Sequence, residues 1–129
     1  MIVRRAFIAL AVSLVAGCAT ATTGAKTDSR LLLQEEIQKS GVGGSAYDVL
    51  SRLRPAFLVS RGQTTLNGGT GTSSYPNVYL DGIAYGDITT LRNIDSSTIA
   101  AVQLYQAWEA QTKFGMGNNG GVIAITTRR

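Results

Sequence analysis

The chain has 129 residues, 12 Lys and Arg against 8 Asp and Glu, one cysteine and no histidine. Without histidine there is no His general base, His triad or His metal site, and a lone cysteine forms neither an internal disulfide nor a multi-cysteine zinc site. The length suits one domain, and the formal charge of +4 bears on partners only through where the charges lie.

Two arginines, Arg4 and Arg5, precede an apolar run from Ala6 to Gly17. A charged start followed by a short apolar stretch is the pattern of a secretory signal. The run gives way to Thr20-Ala21-Thr22-Thr23-Gly24, short of the ~20 apolar residues that a membrane span needs. It ends in Leu14-Val15-Ala16-Gly17-Cys18, which resembles the lipobox of bacterial lipoprotein precursors. That resemblance implies cleavage between Gly17 and Cys18, a diacylglycerol on the Cys18 thiol and a palmitate-type acyl chain on the new amino group. Ala19, in place of aspartate, implies release to the outer membrane, periplasmic face. Ala16-Gly17 also suits a general signal peptidase, whose sites want small residues, so an ordinary secretory signal is the alternative. Residues 1–17 are thus expected to be the signal peptide and 18–27 a lipidated tether, rich in Ala and Thr. Loss of Arg4 and Arg5 takes the basic count from 12 to 10 against 8 acids, and the net charge from +4 to +2. Arg52, Arg54 and Arg61 form a loose cluster and no basic stripe, so no nucleic-acid partner is expected.

From Asp28 the chain reads as a domain covering 28–129. Arg30 to Lys39 fits one helix capped by Asp28 or Ser29, or a strand Arg30–Leu33 followed by a helical turn Gln34–Lys39. Gly41-Val42-Gly43-Gly44 breaks the chain, and Ser45 then caps a helix whose apolar face holds Ala46, Val49, Leu50 and Leu53. Pro55 ends that helix, and Phe57–Ser60, apolar between Pro55 and Gly62, predicts a strand. The stretch from Gly62 to Asn77 predicts the longest loop. Its Gly68–Ser74 string lacks the lysine and the strand-to-helix context of a phosphate loop. Asn77–Leu80 predicts a strand, Asp81-Gly82 a turn and Ile83–Tyr85 an extended return. Leu91 and Ile94 suit a short helix, Asp95–Ser97 a turn and Ile99–Tyr105 a strand. Trp108–Phe114 predicts a weak helix, Gly115–Gly121 a loop and Val122–Thr127 the last strand. The expected class is α+β, a small mixed sheet with short helices and Gly-rich loops.

Three blocks in this order resemble the plug domain of TonB-dependent outer-membrane receptors. They are Glu35-Glu36-Ile37 with Asp48-Val49-Leu50; Val78-Tyr79-Leu80-Asp81-Gly82; and Ile99 to Leu104 followed by Phe114-Gly115 and Gly120-Gly121-Val122-Ile123-Ala124-Ile125-Thr126-Thr127. The closing block, from Gly120, is the most specific. The resemblance selects strand then helix for Arg30–Lys39. It implies structural roles for Asp81, Gly82, Gly115, Gly120, Gly121, Val122 and Ile123. The chain departs from the family pattern at Arg54-Pro55-Ala56-Phe57, where receptors carry Pro-Gly, and at Tyr105-Gln106-Ala107-Trp108, where they carry a Lys-Gly-Pro type turn. Receptors continue into a barrel where this chain stops at Arg129, so a stand-alone plug-like module is expected. Its implied partners are an outer-membrane barrel or a TonB-like protein, besides the membrane reached through the lipid anchor. The candidate contact surface is the Gly62–Asn77 loop with Tyr75, Tyr79 and Tyr85, since loops and exposed aromatics often carry recognition. Asp81, Asp87, Asp95 and Glu109 are the acids that an enzyme would use, but no spacing pairs them. The expectation is therefore a binding or interaction module with no catalysis, no metal and no cofactor; the alternatives are a purely structural envelope lipoprotein with no ligand and, behind it, a carboxylate-based periplasmic enzyme.

Overall fold

The computed structural model describes residues 28–61 and 75–129. The expected signal segment, Cys18, the expected tether and residues 62–74 of the expected long loop lie outside the described residues. What is described is an α+β fold with one mixed five-stranded sheet in the order β1-β4-β5-β2-β3. The strands are β1 (Leu31–Leu33), β2 (Asn77–Leu80), β3 (Ile83–Gly86), β4 (Ile99–Tyr105) and β5 (Val122–Thr127), and the helices are α1 (Gln34–Ser40), α2 (Ala46–Leu53) and α3 (Ala107–Phe114). Only β2 and β5 run parallel; every other neighbouring pair is antiparallel.

The leucine run resolves as a strand and then a helix. Leu31 and Leu33 alternate with fully buried Leu32, and the chain turns helical at Gln34 with Glu35 and Glu36 in the first turn and Lys39 in the last, each complementing the helix dipole. Asp28 caps no helix. It accepts from the Arg30 backbone N–H at 3.0 Å and closes a turn ahead of β1. Ser45 does cap α2 through a reciprocal box. Its hydroxyl accepts from the Asp48 N–H at 3.3 Å, and the Asp48 carboxylate accepts from the Ser45 N–H at 3.0 Å.

The expected strand at Phe57–Ser60 is not one. Pro55, with its φ preset, opens a single 3-10 turn, Pro55–Phe57, which the Leu58 N–H closes by donating to the Pro55 carbonyl. Phe57 fills the core while Val59 is exposed, and among the described residues this segment pairs with no strand. The helix expected around Leu91 is a 3-10 segment, Ile88–Asn93, capped by Asp87, and a second 3-10 turn, Ser96–Thr98, leads into β4. β2 spans Asn77–Leu80 as expected, so the long loop ends before Asn77.

One sheet face carries Leu32, Val78, Val102, Leu104, Ile123 and Ile125. These pack with Ile37 of α1, with Ala46, Val49 and Leu50 of α2, and with Phe57, Leu91 and Ile94 as one buried cluster. Each fully buried Leu, Ile or Val contributes about 1.5–3 kcal/mol from water exclusion. The other face carries Leu31, Leu33, Tyr79, Ala101, Gln103, Tyr105, Val122, Ala124 and Thr126, none of them charged. α3 packs against this face through Phe114, and Val122 and Ala110 are fully buried.

Candidate functional site

Two of the blocks that carry the sequence resemblance, Val78–Gly82 and Gly120–Thr127, lie side by side. β2 ends in Asp81-Gly82, which joins it to β3 with Leu80 paired to Ile83, so the loop has two residues. Asp81 at φ 49° and Gly82 at φ 86° both lie in the left-handed region, as a tight hairpin turn of matching twist requires. The Asp81 side chain then reaches the neighbouring parallel strand. Its carboxylate accepts from the Thr127 N–H at 2.9 Å and from the Thr127 hydroxyl at 2.6 Å, while the Asp81 N–H donates to the Ile125 carbonyl at 2.8 Å. The Thr127 hydroxyl and then its N–H hold the Asp81 carboxyl below its ordinary pKa, with Arg129 adding to the effect.

At the other end of β5, Gly120 and Gly121 are buried. Gly121 donates to the Asn118 carbonyl at 3.0 Å and accepts from the Asn77 N–H at 3.1 Å. Asn118 is buried, accepts from the Asn77 amide at 2.9 Å and donates to the Gly115 carbonyl at 3.0 Å. Gly115 is the C-cap of α3. The motif residues Gly115, Gly120, Gly121, Val122 and Ile123 therefore serve one junction, between α3, β5 and the start of β2.

The three candidate tyrosines do not form one surface. Tyr79 is half-buried under α3, its ring 4.5 Å from that of Phe114, which also meets Tyr105 at 5.4 Å. Lys113 lies over the Tyr105 ring and donates to the Tyr105 hydroxyl at 2.6 Å. Tyr85 is exposed on the edge strand β3 together with Ile83. Tyr75 is exposed beside a cavity of about 470 Å³ also lined by Tyr47, Leu58, Asp87, Ile88, Thr89 and Arg92, where the Arg92 guanidinium stacks 4.7 Å above the Tyr47 ring.

The acids are occupied by local partners. Asp87 caps the Ile88–Asn93 turn, and the Thr89 hydroxyl and N–H lower its pKa; Ser97 does the same for Asp95. Glu109 accepts from the Gln106 N–H at 3.0 Å and pairs with Arg30 at 3.0 Å, and both interactions lower its pKa. Like Asp81, each of these acids is thus engaged by a neighbouring donor that favours its ionised form. The arginine cluster is dispersed: Arg54 pairs with Glu36 at 2.7 Å, Arg61 donates to the Ala56 carbonyl at 3.0 Å, and Arg52 lies exposed in the last turn of α2. Among the described residues no group of three or more His, Cys, Asp or Glu is placed to hold a metal ion.

Sequence reasoning missed the Arg30–Glu109 pair, the Asp81–Thr127 clasp and the Tyr79–Phe114–Tyr105 stack. Each joins residues far apart in the chain. The Gln106-x-x-Glu109 spacing was the one local signal, being that of a capping box. Comparisons with protein-family models, curated proteins and solved structures gave no match to this chain.

Proposed function

We propose that this chain is an outer-membrane lipoprotein that presents a plug-like domain at the periplasmic face as a non-catalytic interaction or transport-accessory module. Cys18 is the lipidated residue and Gly17-Cys18 the cleavage site. The domain needs no cofactor and binds no nucleic acid. Its partners are the membrane, through the acyl chains, and an outer-membrane barrel or a TonB-like protein. One observation carries the reading of the domain: the Val78–Gly82 and Gly120–Thr127 blocks, separate in sequence, are adjacent parallel strands clasped by Asp81 and Thr127. A shared structural unit accounts for why the two motifs occur together. The anchor reading rests on Cys18 being the only cysteine and falling where the apolar run ends.

Two experiments test it. Cys18→Ala is expected to move the protein from the membrane fraction to the soluble periplasm and to abolish fatty-acid labelling, because two or three acyl chains anchor stably where one is marginal. Unchanged fractionation refutes the anchor. Crosslinking in cells followed by purification of the wild-type chain is expected to recover an outer-membrane barrel or a TonB-like protein. Recovery of neither leaves the transport-accessory role without a partner and refutes it.

A further inference from the structure

The sheet has two unlike ends. β1 and β4 are antiparallel with Leu31 opposite Gln103, so the chain enters the domain at the end where β4 finishes. The Arg30 guanidinium on Glu109 ties that point of arrival to the first turn of α3. β5 starts there too, with Val122 opposite Tyr105, and β2 with Asn77 beside Val122. This end therefore gathers Asp28, the start of α3, the loop from Gly115 to Gly121 and Tyr75. The opposite end carries the Asp81-Gly82 turn, Asp95, Arg128 and Arg129.

Large apolar side chains stand in water at both ends, Ile83 at 74% exposure beside the Asp81-Gly82 turn, but the first end alone offers an exposed tryptophan. Trp108 is 68% exposed and Met116 93% exposed, with Tyr75 nearby in the topology at 47%. α3 buries Ala110 and packs Phe114 on the sheet, which turns Trp108, Gln111 and Thr112 outward, all three exposed. A tryptophan pointing away from the protein finds a favourable place where a bilayer meets water, since its ring is amphipathic. The acid beside it, Glu109, is neutralised by Arg30.

We propose that the end of the domain bearing Trp108 and Met116 lies against the lipid surface to which Cys18 is anchored, so that the Asp81-Gly82 end points away from the membrane. This rests on the anchor reading above. Ten residue steps separate Cys18 from Asp28, a reach of at most about 35 Å extended and about 17 Å as a flexible coil. The tether thus starts at the very end that carries the exposed tryptophan, and keeps it within a short distance of the bilayer. Contact by one Trp and one Met is too weak to recruit a free protein, but an anchor makes it intramolecular and raises its occupancy.

Trp108 is the chain's only tryptophan and Cys18 its only cysteine, so both can be used without engineered labels. The processed lipoprotein, purified from membranes, is placed in vesicles of phosphatidylethanolamine and phosphatidylglycerol. A second sample, Cys18–Arg129, which contains every described residue, is joined through its thiol to a maleimide-bearing lipid in the same vesicles. In both, tryptophan emission is expected to shift to the blue, acrylamide quenching to fall about twofold relative to the untethered chain, and brominated lipid to quench the emission. Met116→Asp, in an exposed loop, is expected to reverse these changes with no loss of folding by circular dichroism. Emission as accessible to acrylamide as in the untethered chain overturns the proposal. Shielding from acrylamide without quenching by brominated lipid also overturns it, because protein then covers Trp108. Mass spectrometry of the processed amino terminus reads the anchor separately: an unacylated Cys18 refutes the anchor, while the maleimide-tethered sample still decides whether this end meets lipid.

Discussion

Gly121 has a φ of 91°, and a Cβ placed there would sit 2.5 Å from the Tyr105 carbonyl oxygen, a backbone atom that cannot swing aside. Any side chain therefore meets both a disfavoured dihedral and a steric clash at the junction of β4 and β5. Gly121→Ala is expected to lower stability by about 3 kcal/mol, read as a reduced urea midpoint with an unchanged slope. Asp81 makes a prediction of different kind. Its pKa in the folded chain lies below the ordinary 3.8, through the Thr127 hydroxyl, the Thr127 N–H and Arg129. The unfolded chain therefore takes up the proton first as the pH falls. The stabilisation is complete above the unfolded pKa and is lost as the pH drops below about 4 towards the lower folded value. Asp48, Asp87, Asp95 and Glu109 are shifted in the same direction, so wild-type urea midpoints are expected to fall through this acid range. Asp81→Asn should lower the midpoint at neutral pH and make the acid decline shallower; an unchanged decline would show that the clasp contributes nothing to it.

Among the elements, α2 shows how local chemistry decides local structure. Ser45 and Asp48 satisfy each other's backbone donors, and the apolar stripe of Ala46, Val49 and Leu50 faces the core. Ser45→Ala is expected to cost about 1 kcal/mol, measured by urea titration, with the far-ultraviolet spectrum retained because the buried stripe still holds the helix down. The same legibility extends to β2, its Asp-Gly turn, β4 and β5, where apolar alternation or an apolar run is bounded by turn residues. It fails at Phe57–Ser60. A short apolar run after proline is compatible with a strand or a tight turn, and the difference lies in whether a neighbouring strand offers hydrogen bonds. Among the described residues none does so there, and the Pro55 turn closes on itself and delivers Phe57 to the core. The 3-10 segment Ile88–Asn93 fails more mildly: Leu91 and Ile94 are buried as expected, on a tighter winding set by the Asp87 cap.

For the whole molecule, the sheet order sets the polarity. Because β1 and β4 are antiparallel and β2 and β5 parallel, the point where the chain enters, the start of α3 and the Gly115–Gly121 loop share one end. The expected release of the Cys18→Ala protein into the soluble fraction, checked by fractionation, belongs to this scale, since the proposed anchor acts on the domain as a body. So does the fluorescence of Trp108, which reads which end of that body meets lipid. The sequence by itself determined the α+β class, the places of α2, β2, β4 and β5, the Ser45 cap and the Asp81-Gly82 turn, because periodicity and turn chemistry act over a few residues. It also singles out Cys18, the chain's one thiol, as the residue on which the proposed anchor is tested. Only the tertiary structure decided that Asp81 clasps Thr127, that Tyr79 packs under α3 while Tyr75 and Tyr85 stay exposed at separate places, and that Arg30 meets Glu109 across 79 positions. Such contacts are fixed by which strands pair, and pairing depends on burying one sheet face as a whole, which no window of neighbouring residues encodes.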